Sequence, residues 1–479
     1  RLTLNQDERR RFDSCPGSPL IPLPTMRCHQ VTAKVNPACH IRAWGSTVTS
    51  SPSTDRAMID GVAAVIVLAA GGGTRMKSTK SKLLHEVAGR PMLSWAVGAA
   101  RGLNPDHLVV VVGHRREQVE AHLAEDAPDV TTAVQAEQKG TGHAVACGLE
   151  GLGELHGEVV VTYGDVPMLT GETLQQMVEV HRERRNLVTV LTAEVEDPTG
   201  YGRILRDGEA VVGIVEHKDA DEAQRAVREI NSGIYVFDAG ALRDGVSKLS
   251  NDNVQGEYYL TDVVTMAADG TVEVPGRGRV GAFRIDDVWQ TEGVNDRVQL
   301  ARMNAEVNRR IVTGWMRAGV TVIDPSATWV QPDVDLANDV TLYPGVFLNG
   351  ATTIGAGATV GPDVTVTDSE IREGATVTRS EITLAVVGEG ARVGPFSNIR
   401  PGSVLDRDAK VGAFVEAKNT HVGTEAAIPH MAYVGDSEVI AGSSVVAGSV
   451  LSREYAAPAT NSDVTSDSQD DTPTPEADQ

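Results

Sequence analysis

From residue 62 to about 240 the chain alternates short unbroken apolar runs with stretches whose apolar residues recur every three or four positions. The runs Val62 to Leu68, Leu108 to Val112, Thr131 to Val134, Glu158 to Tyr163, Leu187 to Thr192 and Asn231 to Phe237 predict strands. Their continuity points to burial on both faces, as in a parallel sheet. Met92 to Arg101, Glu117 to Glu125, Ala144 to Leu149 and Thr173 to Arg184 read as the covering helices. Together they predict an α/β, doubly wound Rossmann-like domain over 58–293.

Two further periods lie downstream. Leu300, Met303, Val307 and Ile311 fall at helical offsets and predict an amphipathic linker helix within 294–320. Beyond it an aliphatic residue recurs every six positions, at Ile354, Val360 and Val366, then at Val393, Ile399, Leu405, Val411 and Ala417. Glycine often comes next, as in Ile354-Gly355 and Val411-Gly412. This is the hexapeptide pattern of a left-handed parallel β-helix, expected over 321–452, with coils of about 18 residues. Residues 1–57 and 453–479 lack either period and are expected to be disordered. Because the sequence starts at Arg1 and Met58 precedes the first strand, the first 57 residues read as an upstream extension of the coding frame or a targeting arm.

A formal net charge of -22 argues against a nucleic-acid partner, which demands a basic face. A locally basic pocket for a small anion remains compatible with it. Cys15, Cys28, Cys39 and Cys147 fit no metal or disulfide spacing, so reduced thiols and a cytoplasmic location are expected. No apolar run reaches the roughly 18 residues that membrane insertion needs.

Candidate chemistry gathers where the predicted strands end. Val62 to Leu68 empties into Ala69-Ala70-Gly71-Gly72-Gly73-Thr74-Arg75-Met76, a loop whose backbone N–H groups suit phosphate oxygens, with Arg75 adding charge. It is no Walker loop, because Met76 precedes Lys77-Ser78, and no dinucleotide fingerprint, because the third glycine is missing. A tight turn without a ligand is the alternative. Gln135 and Gln138, before Gly140 and Thr141, could read a nucleobase edge, or form a polar loop with a capping threonine. Tyr163-Gly164-Asp165 places a carboxylate at the end of a buried strand, a position suited to Mg²⁺, with Asn295 as candidate partner.

LAAGGGTRM (68–76), QAEQKGTGHA (135–144), YGDVP (163–167), DPTGYGRI (197–204), VEHKDA (215–220), EINSGIY (229–235), QGEYYLTD (255–262) and EGVNDR (292–297) occur in that order. Together they resemble the bacterial bifunctional N-acetylglucosamine-1-phosphate uridyltransferase and glucosamine-1-phosphate N-acetyltransferase family, across roughly Met58 to Gly435. The resemblance implies a nucleotidyltransferase domain that makes UDP-N-acetylglucosamine, a precursor of peptidoglycan, and pyrophosphate from UTP and N-acetylglucosamine 1-phosphate. It further implies that Leu68, Ala69, Ala70 and Gly71 contact the nucleotide, with Gln135, Gln138, Gly140 and Thr141 around the base and Tyr163 and Gly164 beside the substrate. Arg75 and Lys82 would hold the triphosphate, Asp165 and Asn295 would bind Mg²⁺, and Gly202, Glu216 and Asn231 would fix the N-acetylglucosamine. Ser81 stands where the family usually has proline, so the turn before Lys82 is expected to be less ordered, without loss of activity.

In the β-helix, Arg400-Pro401-Gly402, Glu416-Ala417-Lys418 and Pro429 to Asp436 are similar to the family's acetyltransferase motifs. His430 would be the general base, with Arg400, Lys418 and Tyr433 on the phosphate of glucosamine 1-phosphate and acetyl-CoA as co-substrate. A histidine packed at a coil corner is the alternative. No lysine comes after Lys418 and Arg453 is the only later arginine, so a shortened β-helix with impaired acetyl transfer is expected. The resemblance also implies a homotrimer. A pyrophosphorylase for another sugar nucleotide and a non-catalytic sugar-nucleotide-binding subunit are the other readings.

Overall fold

In the computed structural model, which describes residues 61–452, the first apolar run forms β1 (Ala64–Ala69), every residue of it buried. Its side chains divide by the two-residue strand period. Ala64, Ile66 and Leu68 join a core with the helices Thr141–Leu149, Ala239–Ser247 and Leu260–Asp269. Val65, Val67 and Ala69 join a second core with Met92–Arg101, Arg116–Asp126 and Gly171–Arg184. A strand covered on both faces has no use for polar alternation, hence the unbroken apolar run. The expectations for 1–57 and 453–479, and for Cys15, Cys28 and Cys39, lie outside the described residues; Cys147 is a buried free thiol.

After β1 come a small hairpin of β2 (Glu86–Val87) and β3 (Arg90–Pro91), then β4 (His107–Val112), β5 (Thr131–Val134), β6 (Glu158–Tyr163) and β7 (Val188–Glu194). β8 (Gly202–Asp207), β9 (Ala210–Val215), β10 (Glu229–Asp238) and β11 (Val280–Ile285) complete the domain's strands. The main sheet runs β11-β7-β10-β6-β1-β4-β5, with β8 on β10 and β9 on β8. It is mixed, which corrects the expected parallel sheet: β10 is antiparallel to both β6 and β7.

The helix Arg297–Arg317 starts where the Asp296 carboxylate accepts the N–H groups of Val298 and Gln299. It buries Met303, Val307 and Ile311, while Leu300 stays half-buried. Arg310, held by Glu306 one turn earlier on the same helix, ties it back to Asp287, and Asn304 accepts the N–H of Ala88.

Beyond it, short parallel strands stack into three sheets, the faces of the left-handed β-helix. One inner column runs Ile354, Ile371, Val387, Leu405, Val422 and Val439, each paired in register with the next coil. These steps are 16 to 18 residues, so several coils are shorter than the regular hexapeptide count.

Candidate active site

The site is built from the loops that leave β1, β5 and β6 at their carboxyl ends, the edge at which open α/β sheets bind ligands. After Ala69 the backbone passes Gly71 and Gly72, and Gly73 turns left-handed at φ +58 ahead of the 3-10 turn Thr74–Met76. Met76 is buried and its carbonyl accepts from Arg297 Nε at 3.2 Å, which anchors the loop to the start of the long helix. Arg75 is exposed and has no ion-pair partner among the described residues, free to meet an anion.

Lys82 opens the 3-10 turn Lys82–Leu84, and its side chain passes against Gly73. Its ammonium lies 2.5 Å from Asp165 Oδ2 and donates to Asn295 Oδ1 at 2.9 Å. Asp165 comes two residues after β6; Asn295 comes just before the long helix, and the neighbouring Val294 N–H donates to the Asp165 carbonyl at 2.9 Å. Residues 82, 165 and 295, far apart in sequence, thus meet at one point. Two hard oxygens converging on one cationic position form a donor set that suits Mg²⁺. No group of three or more His, Cys, Asp or Glu side chains able to hold a metal occurs among the described residues.

Ser81 does not loosen this turn, contrary to the expectation. Its φ of -55° is one that proline would also adopt, and its N–H, which proline would lack, donates to Gln118 Oε1 at 2.7 Å. Nothing in the sequence pattern singled out Gln118.

Across the loop, Gln138 Nε2 donates to the Ala70 carbonyl at 2.6 Å and lies over Gly72. Gln135 is buried, and its amide nitrogen donates to the Gly140 carbonyl and faces His143 Nδ1. Its amide N–H₂ is thereby engaged in shaping the turn. Thr141 Oγ1 accepts from Leu260 N, and the Gly142 N–H donates to the Tyr258 carbonyl, so this loop is pinned from the 255–262 segment.

On the β10 side, Gly202, Asn231 and Glu216 are neighbours: a methyl added at Gly202 would stand 3.4 Å from Asn231 Cβ and 3.5 Å from Glu216 Oε2. Asn231 exchanges hydrogen bonds with the buried Tyr235 hydroxyl and accepts the N–H of Gly233 through Oδ1. Gly233, at φ +83, leaves room for the Tyr163 ring, which would lie 2.6 Å from an added Cβ. Burial pushes the Glu216 carboxyl above its ordinary range; Asp219, Asp262 and Glu257 push the same way, against a hydrogen bond from Thr261. Burial also raises the Tyr163 hydroxyl, with Glu216 and Asp165 contributing. Burial raises the Tyr201 hydroxyl, with Glu292 and Asp165 contributing and Arg302 opposing. The Gly164 N–H donates to the Leu68 carbonyl, closing the floor between β1 and β6.

The second group of predicted residues lies on the β-helix. Glu416 pairs with Tyr433, and Lys418 with Gly435, on adjacent coils of one sheet. The Arg400 N–H bonds the Ala417 carbonyl, and its guanidinium is held by Glu416 at 2.6 Å. His430, on the neighbouring sheet, is exposed, which excludes the packed-corner reading.

Residues 65–230 match the family of MobA-like NTP transferase domains. The chain is similar to the bifunctional protein GlmU of Cutibacterium acnes, at 94% identity over 418 residues, covering 87% of this chain and 100% of that protein. It is also similar to the GlmU proteins of Kineococcus radiotolerans, 52% identical over 81% of this chain and 78% of that one, and of Mycolicibacterium gilvum, 50% identical over the same shares. No helix among the described residues is long and apolar enough to cross a membrane.

Proposed function

The chain belongs to the bifunctional GlmU family, and from that premise we propose that its first domain is a Mg²⁺-dependent uridyltransferase making UDP-N-acetylglucosamine and pyrophosphate from UTP and N-acetylglucosamine 1-phosphate. The observation that carries this is the convergence of Lys82, Asp165 and Asn295 on one point beside the glycine loop. A non-catalytic binding subunit has no need of a carboxylate and an amide oxygen aimed at one cation.

In this reading the backbone N–H groups of residues 71–73 and the cations of Arg75 and Lys82 hold the triphosphate. Gln138, Gly140 and Thr141 frame the base, and Gly202, Glu216 and Asn231 hold the sugar. A phosphate oxygen of the sugar phosphate attacks the α-phosphorus of UTP. The bond from that phosphorus to the bridging oxygen breaks, and pyrophosphate leaves with the electron pair. Arg75 and Lys82 stabilise the charge that develops on the leaving oxygens, so no protein nucleophile is needed. Asp165 and Asn295 would hold Mg²⁺, which would supply neutralisation of phosphate charge.

The β-helix carries acetyl-CoA-dependent acetylation of glucosamine 1-phosphate at a low rate at most. Arg400, which the family resemblance puts on the substrate phosphate, is already paired with Glu416. The exposed, stacked rings of Phe396 and Phe414, with Met431 exposed on the next coil, support assembly of the β-helices into a homotrimer.

Pyrophosphate release from UTP and N-acetylglucosamine 1-phosphate tests the first activity. Asp165→Ala is expected to lower it by about a hundredfold or more; release equal to that of the parent chain would sink the proposal. Thiol release from acetyl-CoA and glucosamine 1-phosphate tests the second, and robust turnover would overturn the low rate.

A further inference from the structure

We propose that Gln118 is a positioning residue for Lys82, acting through the backbone of Ser81; this rests on the nucleotidyl-transfer reading of the site. The segment 78–81 has no regular structure and carries Lys82 at its end. It hangs from the start of the helix Arg116–Asp126 by side-chain bonds to its backbone. Gln118 Oε1 accepts the Ser81 N–H at 2.7 Å while Gln118 Nε2 donates to the Thr79 carbonyl at 3.1 Å. Arg115 Nη1 donates to the carbonyls of Ser78 and Lys80.

The placement of these bonds decides how Lys82 is held. Ser81 is buried, so its N–H needs a partner, and Gln118 is the partner it has. The bond is made at the residue that caps the 3-10 turn Lys82–Leu84, and it thereby fixes the direction in which the Lys82 side chain leaves. The Arg116–Asp126 helix packs into the core through Val119 and Leu123, so the anchor is rigid even though the Gln118 side chain is exposed. Serine leaves φ free where proline would lock it, and Gln118 supplies the missing restraint from outside the loop. Gln118 touches no reacting atom. Its effect reaches the chemistry only through the direction in which the Lys82 side chain leaves the turn, toward Asp165, Asn295 and the proposed triphosphate position.

Five chains test this in steady-state uridylyl transfer: the parent, Gln118→Met, Gln118→Glu, Ser81→Pro, and Gln118→Met combined with Ser81→Pro. Gln118→Met is expected to lower kcat about tenfold and to raise the KM for UTP by a smaller factor, with the KM for the sugar phosphate little changed, since Lys82 holds the triphosphate and meets the charge that develops in the transition state. Gln118→Glu keeps the oxygen that accepts the Ser81 N–H and is expected to recover kcat to within about twofold. In the Ser81→Pro background Gln118→Met is expected to cost nothing further. Amide hydrogen exchange at Ser81 is expected to quicken in Gln118→Met and not in Gln118→Glu, whatever the turnover. An unchanged kcat in Gln118→Met, or equal losses with methionine and glutamate, would overturn the proposal while leaving the uridyltransferase reading intact. A parent chain without turnover would overturn both.

Discussion

A methyl group added at Gly73 would lie 2.6 Å from the Cβ of Lys82, and Gly73 sits at φ +58. The glycine loop therefore does more than the phosphate cradling proposed for it. It is also the surface along which Lys82 reaches Asp165, and the two requirements meet at one residue. Gly73→Ala is expected to strain the backbone by about 1 kcal/mol and to push Lys82 aside. The expected outcome is a kcat for pyrophosphate release lowered at least about tenfold, with a melting temperature only a few degrees down. Gly71→Ala is the control, because nothing lies within 4 Å of its added methyl. Equal losses in both variants would show that phosphate contact, and not the path of Lys82, is what the third glycine protects.

Glu216 illustrates a site residue that costs stability. Its carboxyl is raised by burial and then by Asp219, Asp262 and Glu257. A raised carboxyl holds its proton more tightly folded than unfolded, so its contribution to stability is most favourable below the ordinary carboxylate range and is lost as pH rises through the folded value. At pH 8 the ionised group is a net burden. Glu216→Gln is thus expected to melt above the parent at pH 8, with the gap closing as pH falls toward 4. The same variant is expected to raise the KM for the sugar phosphate by about tenfold, the carboxylate acceptor being lost. Melting curves at several pH values, with KM measured at pH 8, check both. A variant that melts below the parent at pH 8 would contradict the burden assigned to this group.

Legibility from sequence tracked the reach of each pattern. β5, β6 and the helix Met92–Arg101 begin and end at the predicted residues because their own residues carry the whole signal. Strand β8 is hard to read because Arg203, Arg206 and Asp207 interrupt its apolar run, and its pairing with β9 and docking on β10 are what make it a strand, whereas the apolar run of β9 carries its own signal. In the β-helix the six-residue period falters between Val366 and Val393, where Ile371, Ile382 and Val387 end edges of five residues. At the site, Asp165 stands out through its motif and Lys82 through the family resemblance, whereas Gln118 does not, since it recognises backbone groups and leaves no pattern in side-chain types. Resemblance led to the expectation of a loose Ser81 because the compensating partner sits 37 positions away.

Far from the catalytic edge, His181 ties acid stability to the packing of the helix Gly171–Arg184. Its ring is fully buried, with Nδ1 3.0 Å from Thr189 Oγ1 and Nε2 without a hydrogen-bond partner among the described residues. Burial pulls its pKa down to about 4, with Arg277 and Arg182 pulling the same way and Glu158 and Asp238 opposing. A histidine kept neutral when folded but free to protonate when unfolded stabilises the protein fully above its ordinary value of 6.5. That stability is lost as pH falls from there toward 4. Between pH 7 and pH 5 the loss assigned to this one ring is about 2 kcal/mol. Urea unfolding midpoints across this interval are expected to fall steeply in the parent and more gently in His181→Met, whatever the variant's stability at pH 7. Parallel slopes for the two chains would show that the acid sensitivity of the domain arises at another group.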